Sequence, residues 1–390
     1  MKTPFKYLLS ASALALSMAW APAHADIKIG MITTLSGSGA TLGQDQYDAF
    51  MLAVEQKGGK LGDEPVQVIV EDDQLKPQVG VQIAKKLLEN DKVDLITGIV
   101  YSNVMMAVQK PILESETFLI GSNAGPSPMS GAQCSPYFFS TSWNNDQLHE
   151  GGGQLATNQG YKKMYLMAAN YQAGKDALAG FKRFYKGEVI DEVYTQVNQL
   201  DYSVEIAQLQ QANPDAVYVF YPGGMGVNFV KQFRQAGLFE KVPLISASTI
   251  DGSTLPAMQD LAVGAMTSSP YSPDLDNAQN KQFVEAFQKK YNRLPSLYAA
   301  QSYDAAMLID SAIRKVKGNL KDKDAFRAAL KEADFDSVRG DFAFNNNHFP
   351  IANFYRVDVV KGEDGTAQLK TKGVILEAHK DAYSEQCPMK

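Results

Sequence analysis

A strict alternation of short apolar runs with amphipathic stretches, wound through twice, limits this chain more than any other feature. Asp26-Ile27-Lys28-Ile29-Gly30-Met31-Ile32 alternates as a strand does. The glycine-rich turn Ser36-Gly37-Ser38-Gly39-Ala40 follows, and then Tyr47, Phe50, Met51 and Val54 recur on one helical face until Gly58-Gly59 stops them. Strands at 66–70, 93–98 and 117–121 alternate with helices at 77–90, opened by Pro77, and 103–115. After Trp143 the theme starts again. Helices at 146–159, 175–185, 204–211 and 227–236 alternate with strands at 163–168, 189–195, 216–221 and 242–246. Two long helical stretches, 280–291 and 297–315, precede a strand-rich segment at 342–376. Such alternation with short connections builds parallel sheets covered by helices, so the fold class is α/β with two Rossmann-like lobes. No Pro/Gly/Ser-rich tether separates the two windings, which predicts short crossings that act as a hinge.

Residues 1–25 read as an export address. Lys2 and Lys6 precede an apolar run from Leu8 to Trp20, and Ala23-His24-Ala25 supplies the small residues of a cleavage site before Asp26. Thirteen helical residues reach ~20 Å, short of the ~30 Å hydrocarbon core, so a membrane anchor is not expected. Loss of Lys2 and Lys6 takes the formal charge from −6 to −8, which argues against nucleic-acid binding. No later apolar run is long enough to span a bilayer, so the exported protein should not be membrane-embedded. Cys134 and Cys387 are the 2 cysteines, too far apart for a zinc scaffold. In an oxidising compartment they form either one long-range disulfide or two free thiols.

Enzyme and cofactor signals are weak. Gly37, Gly39 and Gly43 are spaced one residue too long for a dinucleotide fingerprint, and Asp72-Asp73 lies too far on for the ribose acid. His149-Glu150 begins like a zinc helix motif but runs into Gly151-Gly152-Gly153. Asp274-Leu275-Asp276 lacks the glycine of a calcium loop, and no G-x-S-x-G or S-x-x-K occurs. His149, His348 and His379 sit in unrelated segments and read as surface residues. No catalytic residue, metal site or cofactor is expected.

The mature chain, from Ile27 to about Leu376, resembles the type I periplasmic binding proteins of ABC transporters, in the leucine/isoleucine/valine-binding-protein-like family. Ile29-Gly30 with Thr34-Leu35-Ser36-Gly37 is similar to that family's first strand and ligand loop, and Asp72-Asp73 to its acidic pair. Asp201-Tyr202-Ser203 with Pro214-Asp215-Ala216-Val217 resembles the second-lobe segment. Tyr291, Pro295, Tyr298-Ala299-Ala300 and Tyr303-Asp304-Ala305 resemble the late helix pair. The resemblance implies a Venus flytrap with three interlobe crossings, near Trp143, Tyr271 and Pro350. Lobe one would be 26–143 plus 272–349, lobe two 144–271 plus 350–377. The tail 378–390 would return so that Cys387 meets Cys134. A monomer that passes a small-molecule ligand to an inner-membrane ABC permease is implied. A ligand-sensing domain that docks on a receptor is the more distant alternative.

In amino-acid binders of this family the carboxylate is held by small residues and backbone N–H groups on lobe-one loops. The matching loops are Val100-Tyr101-Ser102-Asn103 and Ser122-Asn123-Ala124-Gly125-Pro126-Ser127. Ser102 reads as an anion donor at a helix N-terminus, as an N-cap, or as both. Ala124, Gly125 and Ser127 offer N–H groups; Pro126, standing where such binders carry threonine, offers none. The loop Ser246-Ala247-Ser248-Thr249-Ile250-Asp251 has its acid about three positions late for an ammonium, and Ala173 stands where an aromatic is common before Gly174. These departures favour a carboxylate without an α-ammonium. Expected ligand contacts are Leu42, Tyr101, Ser102, Asn123, Ala124, Gly125, Ser127, Trp143, Asn144, Tyr171, Tyr221, Gly223, Ser248 and Asp251. Asp251 would accept a ligand hydroxyl or face solvent. Gly125-Pro126-Ser127 and Thr141-Ser142-Trp143-Asn144 are similar to relatives that bind aromatic acids. A benzoate-, hydroxybenzoate- or cinnamate-type acid is therefore expected, with a branched-chain amino acid or amide as the alternative.

Overall fold

The structure, a computed structural model, describes residues 26–389; the export segment 1–25 lies outside the described residues. The first winding opens with β1 (Ile27–Thr33), α1 (Ala40–Gln56), β2 (Lys60–Leu61) and β3 (Glu64–Asp72). It continues through α2 (Pro77–Lys85), β4 (Leu95–Gly98), α3 (Ser102–Glu114), β5 (Phe118–Gly121), the single turn α4 (Ser127–Ser130) and β6 (Phe138–Ser140). These strands form one sheet in the order β2-β3-β1-β4-β5-β6, parallel except for the β2–β3 hairpin. The buried run Ile29, Met31 and Ile32 on β1 shows why: a central parallel strand is covered on both faces. The expected helix 77–90 stays α-helical only to Lys85; residues 86–91 widen into a π turn that Lys92 ends with φ 53°.

The second winding contains α5 (Asn145–Asn158), β7 (Lys163–Ala169), α6 (Gln172–Phe184), β8 (Glu188–Thr195), α7 (Ser203–Ala212) and β9 (Ala216–Phe220). It closes with α8 (Gly224–Gln235), β10 (Leu244–Ala247), α9 (Leu255–Met258) and β11 (Met266–Ser269). Strands β8-β7-β9-β10-β11 run parallel in that order. The chain then returns to the first sheet as α10 (Ala278–Tyr291), α11 (Leu297–Lys315) and α12 (Lys323–Glu332). Helix α11 packs on α1: the Ser302 hydroxyl donates to the Gln46 carbonyl at 2.7 Å, and the Gly62 N–H donates to Asp310 at 2.8 Å. Finally β12 (Ala343–Phe344), β13 (Pro350–Lys361) and β14 (Ala367–His379) follow, and β13 adds an antiparallel edge to β11. The strands of the two sheets are consecutive in sequence, 27–140 and then 163–379; it is the helices α10–α12 that cross back to cover the first sheet's side.

Helix α5 carries the geometry of the site. Its Gly151-Gly152-Gly153 run weakens the helix by roughly 0.5–1 kcal/mol per residue, yet the helix persists. A Cβ at these positions would meet Ser268 Oγ, the Tyr218 ring and the Phe181 carbonyl at 2.2, 2.6 and 2.1 Å. The glycines let α5 lie directly against β9, β11 and α6, and tertiary packing replaces the lost propensity.

The three histidines expected at the surface are not there. His149 and His348 are buried, at 1% and 2% exposure, and His348 stacks on Phe139 with centroids 4.0 Å apart. His379 is half-buried, with Nε2 2.5 Å from Glu150. The tail after β14 is bonded to both windings: Tyr383 donates to Asp146 at 2.7 Å, Asn347 donates to Asp381 at 3.1 Å, and Cys387 is bonded to Cys134. Among the described residues no helix is long and apolar enough to cross a membrane.

Candidate ligand-binding site

Loops leaving the C-terminal ends of β4, β5, β9 and β10 meet between the two sheets, where open α/β sheets bind ligands. They enclose about 340 Å³ of atom-free space, including its mouth. Eight of the expected contacts line it: Leu42, Tyr101, Ser102, Asn123, Ala124, Trp143, Tyr171 and Ser248. Val100, Asn145, Leu148, His149, Ala173, Phe220, Pro222 and Tyr298 complete the wall. Tyr171 and Phe220 stand nearly parallel, 17° apart with centroids at 6.2 Å, and Tyr101 leans on Tyr171 at 6.0 Å. The cavity is thus a slot with aromatic sides. No Asp, Glu, Lys or Arg lines it.

The polar groups divide into those already spent and those left over. Asn145 donates both amide protons, to Ser102 Oγ at 3.0 Å and Asp176 at 2.9 Å, while its carbonyl accepts the Gly125 N–H. Asn123 donates to the Val100 carbonyl and accepts from Gln301. The N–H groups expected to face an anion are also committed: Ala124 donates to the Ile99 carbonyl, Gly125 to Asn145 and Ser127 to Asp176. Ser102 is not the N-cap of α3; Tyr101 holds that position, and Ser102 is the first helical residue. Its hydroxyl proton remains free to donate at the positive end of a 13-residue helix. Among the described residues the slot-lining Tyr101 hydroxyl is buried without a hydrogen-bond partner, and no hydrogen bond is made by the Trp143 indole N–H, the Tyr171 hydroxyl or His149 Nε2. Burial alone pushes the His149 pKa down to about 3, so its ring is neutral. The slot is therefore lined by neutral donors.

The remaining expected contacts lie elsewhere. Tyr221 turns away from the slot to pack on Tyr202 and Phe229, because the residue before it, Phe220, faces the ligand side. Asn144 caps α5 and donates to Ser130 Oγ, while Asn145, one position on, reaches the slot. Ser127 bonds to Asp146 beneath it. Gly223, at φ 66°, lies at the rim; a Cβ there would sit 2.4 Å from the Ser38 carbonyl. Ser38 also bonds to Asn198, so residues 37–39 of one lobe close over the other. Asp251 neither reaches the slot nor faces solvent. It is 4% exposed and lines a separate cavity with Thr267, Ser269 and Tyr271. Burial raises its pKa to about 7 against the bonds from Ser253. Ile99 and Ser248 hold φ of 65° and 50° on the loops after β4 and β10, strain of about 1–3 kcal/mol each that clusters at this site.

Two α/β lobes closed over a narrow, uncharged slot define a small-molecule binding protein. The profile described as periplasmic binding protein matches residues 26–365, and the chain belongs to that family. A Leu/Ile/Val-binding protein homolog of Brucella melitensis is 27% identical over 363 residues, covering 90% of this chain and 92% of the relative. A solute-binding protein of an R. palustris ABC transporter, solved with benzoate, is 31% identical with a TM-score of 0.89, covering 94% of this chain and 100% of that one. A second, from Rhodopseudomonas palustris BisB5 with 3,4-dihydroxybenzoic acid, is 29% identical with a TM-score of 0.84, covering 92% and 99%. Like them, this chain is an ABC-transporter solute-binding protein and not an enzyme.

Proposed function

We propose that the protein is exported to the periplasm, captures an aromatic carboxylate of the benzoate, hydroxybenzoate or cinnamate class by closing its lobes, and delivers it as a monomer to an inner-membrane permease. One observation carries the reading: the slot has ring-lined walls and free donors but no acidic side chain. A carboxylate takes hydrogen bonds from such donors. A buried α-ammonium without a partner costs roughly 2–5 kcal/mol. Stacking a ring against Tyr171 and Phe220 buries ~150 Å² and gains about 4 kcal/mol at ~25 cal/mol/Å². Two charge-assisted bonds at ~1.5–3 kcal/mol each bring the total near the ~8 kcal/mol of micromolar affinity.

The named benzoate and dihydroxybenzoate complexes of the structural neighbours support this reading. The Brucella relatives' name favours a branched-chain amino acid instead. That ligand would require Asp251 to leave its own cavity and pair with the ammonium. Calorimetric titration of benzoate, 4-hydroxybenzoate, cinnamate, leucine and valine separates the two. Aromatic acids are expected to bind and the amino acids not. Tight leucine binding without an aromatic response overturns the proposal.

A further inference from the structure

His149 sits on α5, one turn beyond Asn145, with its ring edge-on to Phe220 at 4.6 Å. Its Nδ1 meets the Tyr218 hydroxyl. Tyr218 is fully buried, and desolvation keeps its phenol protonated. Among the described residues Nδ1 is the one partner that hydroxyl has. Leaving a buried donor unsatisfied costs about 1–3 kcal/mol, so the Tyr218 O–H donates and Nδ1 accepts. A neutral imidazole carries a single proton, which must then reside on Nε2. Tyr218 thereby sets the tautomer of His149. Nε2–H has no protein acceptor, and His149 lines the slot.

Asn145 and Asn123 have committed their amide groups to the protein, so among the described residues on α5 the unpartnered donor facing the slot is His149 Nε2–H, beside the Trp143, Tyr101 and Tyr171 donors of the other walls. Asn145 is tied to Ser102 at the start of α3, the helix N-terminus to which the aromatic-acid reading assigns the ligand carboxylate. One turn along α5 separates residues i and i+4 by about 6 Å, close to the span across a para-substituted benzene ring. We propose that His149 Nε2–H is the specificity-determining donor of the slot, selecting aromatic carboxylates that carry an oxygen substituent across the ring from the carboxylate. The assignment rests on the aromatic-acid reading above. Since Nε2 donates, it serves a hydroxyl or an ether oxygen alike and gains nothing from a methyl group.

Calorimetry with benzoate, 4-methylbenzoate, 4-hydroxybenzoate and 4-methoxybenzoate tests this on the wild type, His149→Phe and His149→Gln. The wild type is expected to bind both oxygenated acids about tenfold more tightly than 4-methylbenzoate, the worth of one hydrogen bond. His149→Phe should abolish that preference, so that 4-methylbenzoate and the oxygenated acids bind alike, and His149→Gln, which retains a donor, should keep part of it. Nitrogen-15 NMR of histidine-labelled wild type reads the tautomer without any variant. His149 is expected to show a protonated Nε2 and bare Nδ1 between pH 5 and 8, with Nε2 shifting on addition of 4-hydroxybenzoate. Benzoates that bind with no preference for oxygen, or a preference that survives His149→Phe, overturn the role of His149 alone. Failure of every benzoate to bind overturns both this role and the aromatic-acid reading.

Discussion

Cutting the Cys134–Cys387 bond releases a chain closure spanning 253 residues. In the chain-entropy description a loop of this length restricts the unfolded ensemble by roughly 18–19 cal/mol/K, or about 5.5 kcal/mol at 25 °C. The folded state should hardly change. The two Cα atoms stand 5.7 Å apart, within the range an unstrained bridge uses, and the tail remains docked through Tyr383 to Asp146 and Asp381 to Asn347. With an unfolding entropy of ~2.1 cal/mol/K per residue over about 365 residues, the loss corresponds to a fall in Tm of about 7 °C. Differential scanning calorimetry of the mature protein with and without reductant, and of Cys134→Ser/Cys387→Ser, measures it. Reductant and double substitution should agree. Midpoints that coincide with the oxidised wild type within about 1 °C refute the reasoning, because the closure would then not constrain the unfolded chain.

Asp251 makes stability depend on pH. Its folded pKa of about 7 lies above the unfolded value near 3.9, so the folded state binds the extra proton and stability falls as pH rises between those values. Asp251→Asn should raise the urea midpoint at pH 8 and leave it almost unchanged at pH 4; an equal effect at both would count against burial as the cause. Arg339 donates to Asp304 at 3.0 Å and to the carbonyls of Ser142 and Thr141, locking the stretch between β6 and α5 to α11. Arg339→Met strands a fully buried carboxylate and should cost about 3–5 kcal/mol in urea unfolding, with part recovered by adding Asp304→Asn. Ser102→Ala removes one donor at the helix N-terminus and should weaken benzoate binding about tenfold by calorimetry; unchanged affinity would move the carboxylate elsewhere in the slot.

The parallel sheets were readable because periodicity is local: β1 alternates, α1 repeats its apolar face, and each element needs only its own residues to show it. The slot was readable in part for the same reason, since loops after parallel strands converge. Misses fall where periodicity ends. Asn144 and Asn145 differ only in that the first caps α5 and the second points inward. Phe220 is the last residue of β9, on the face shared with Tyr218, and Tyr221 begins the loop beyond it. His149 lies within the expected helix 146–159, but its place in the slot follows only from Asn145, one turn before it, facing inward, which the sequence does not show.

From sequence alone came the α/β class, the double winding, the expected export address and an acidic chain with two cysteines. These follow from composition and from short-range preferences that each segment carries with it. The Cys134–Cys387 bond implied by the family resemblance is present, whereas only the tertiary structure decided that α11 covers α1 and that Asp251 lies in a cavity apart from the slot. It also decided which donors remain for a ligand. Hydrogen bonds are exclusive, so whether an N–H can hold a carboxylate depends on every neighbour that claims it first, and those neighbours lie tens to hundreds of residues away.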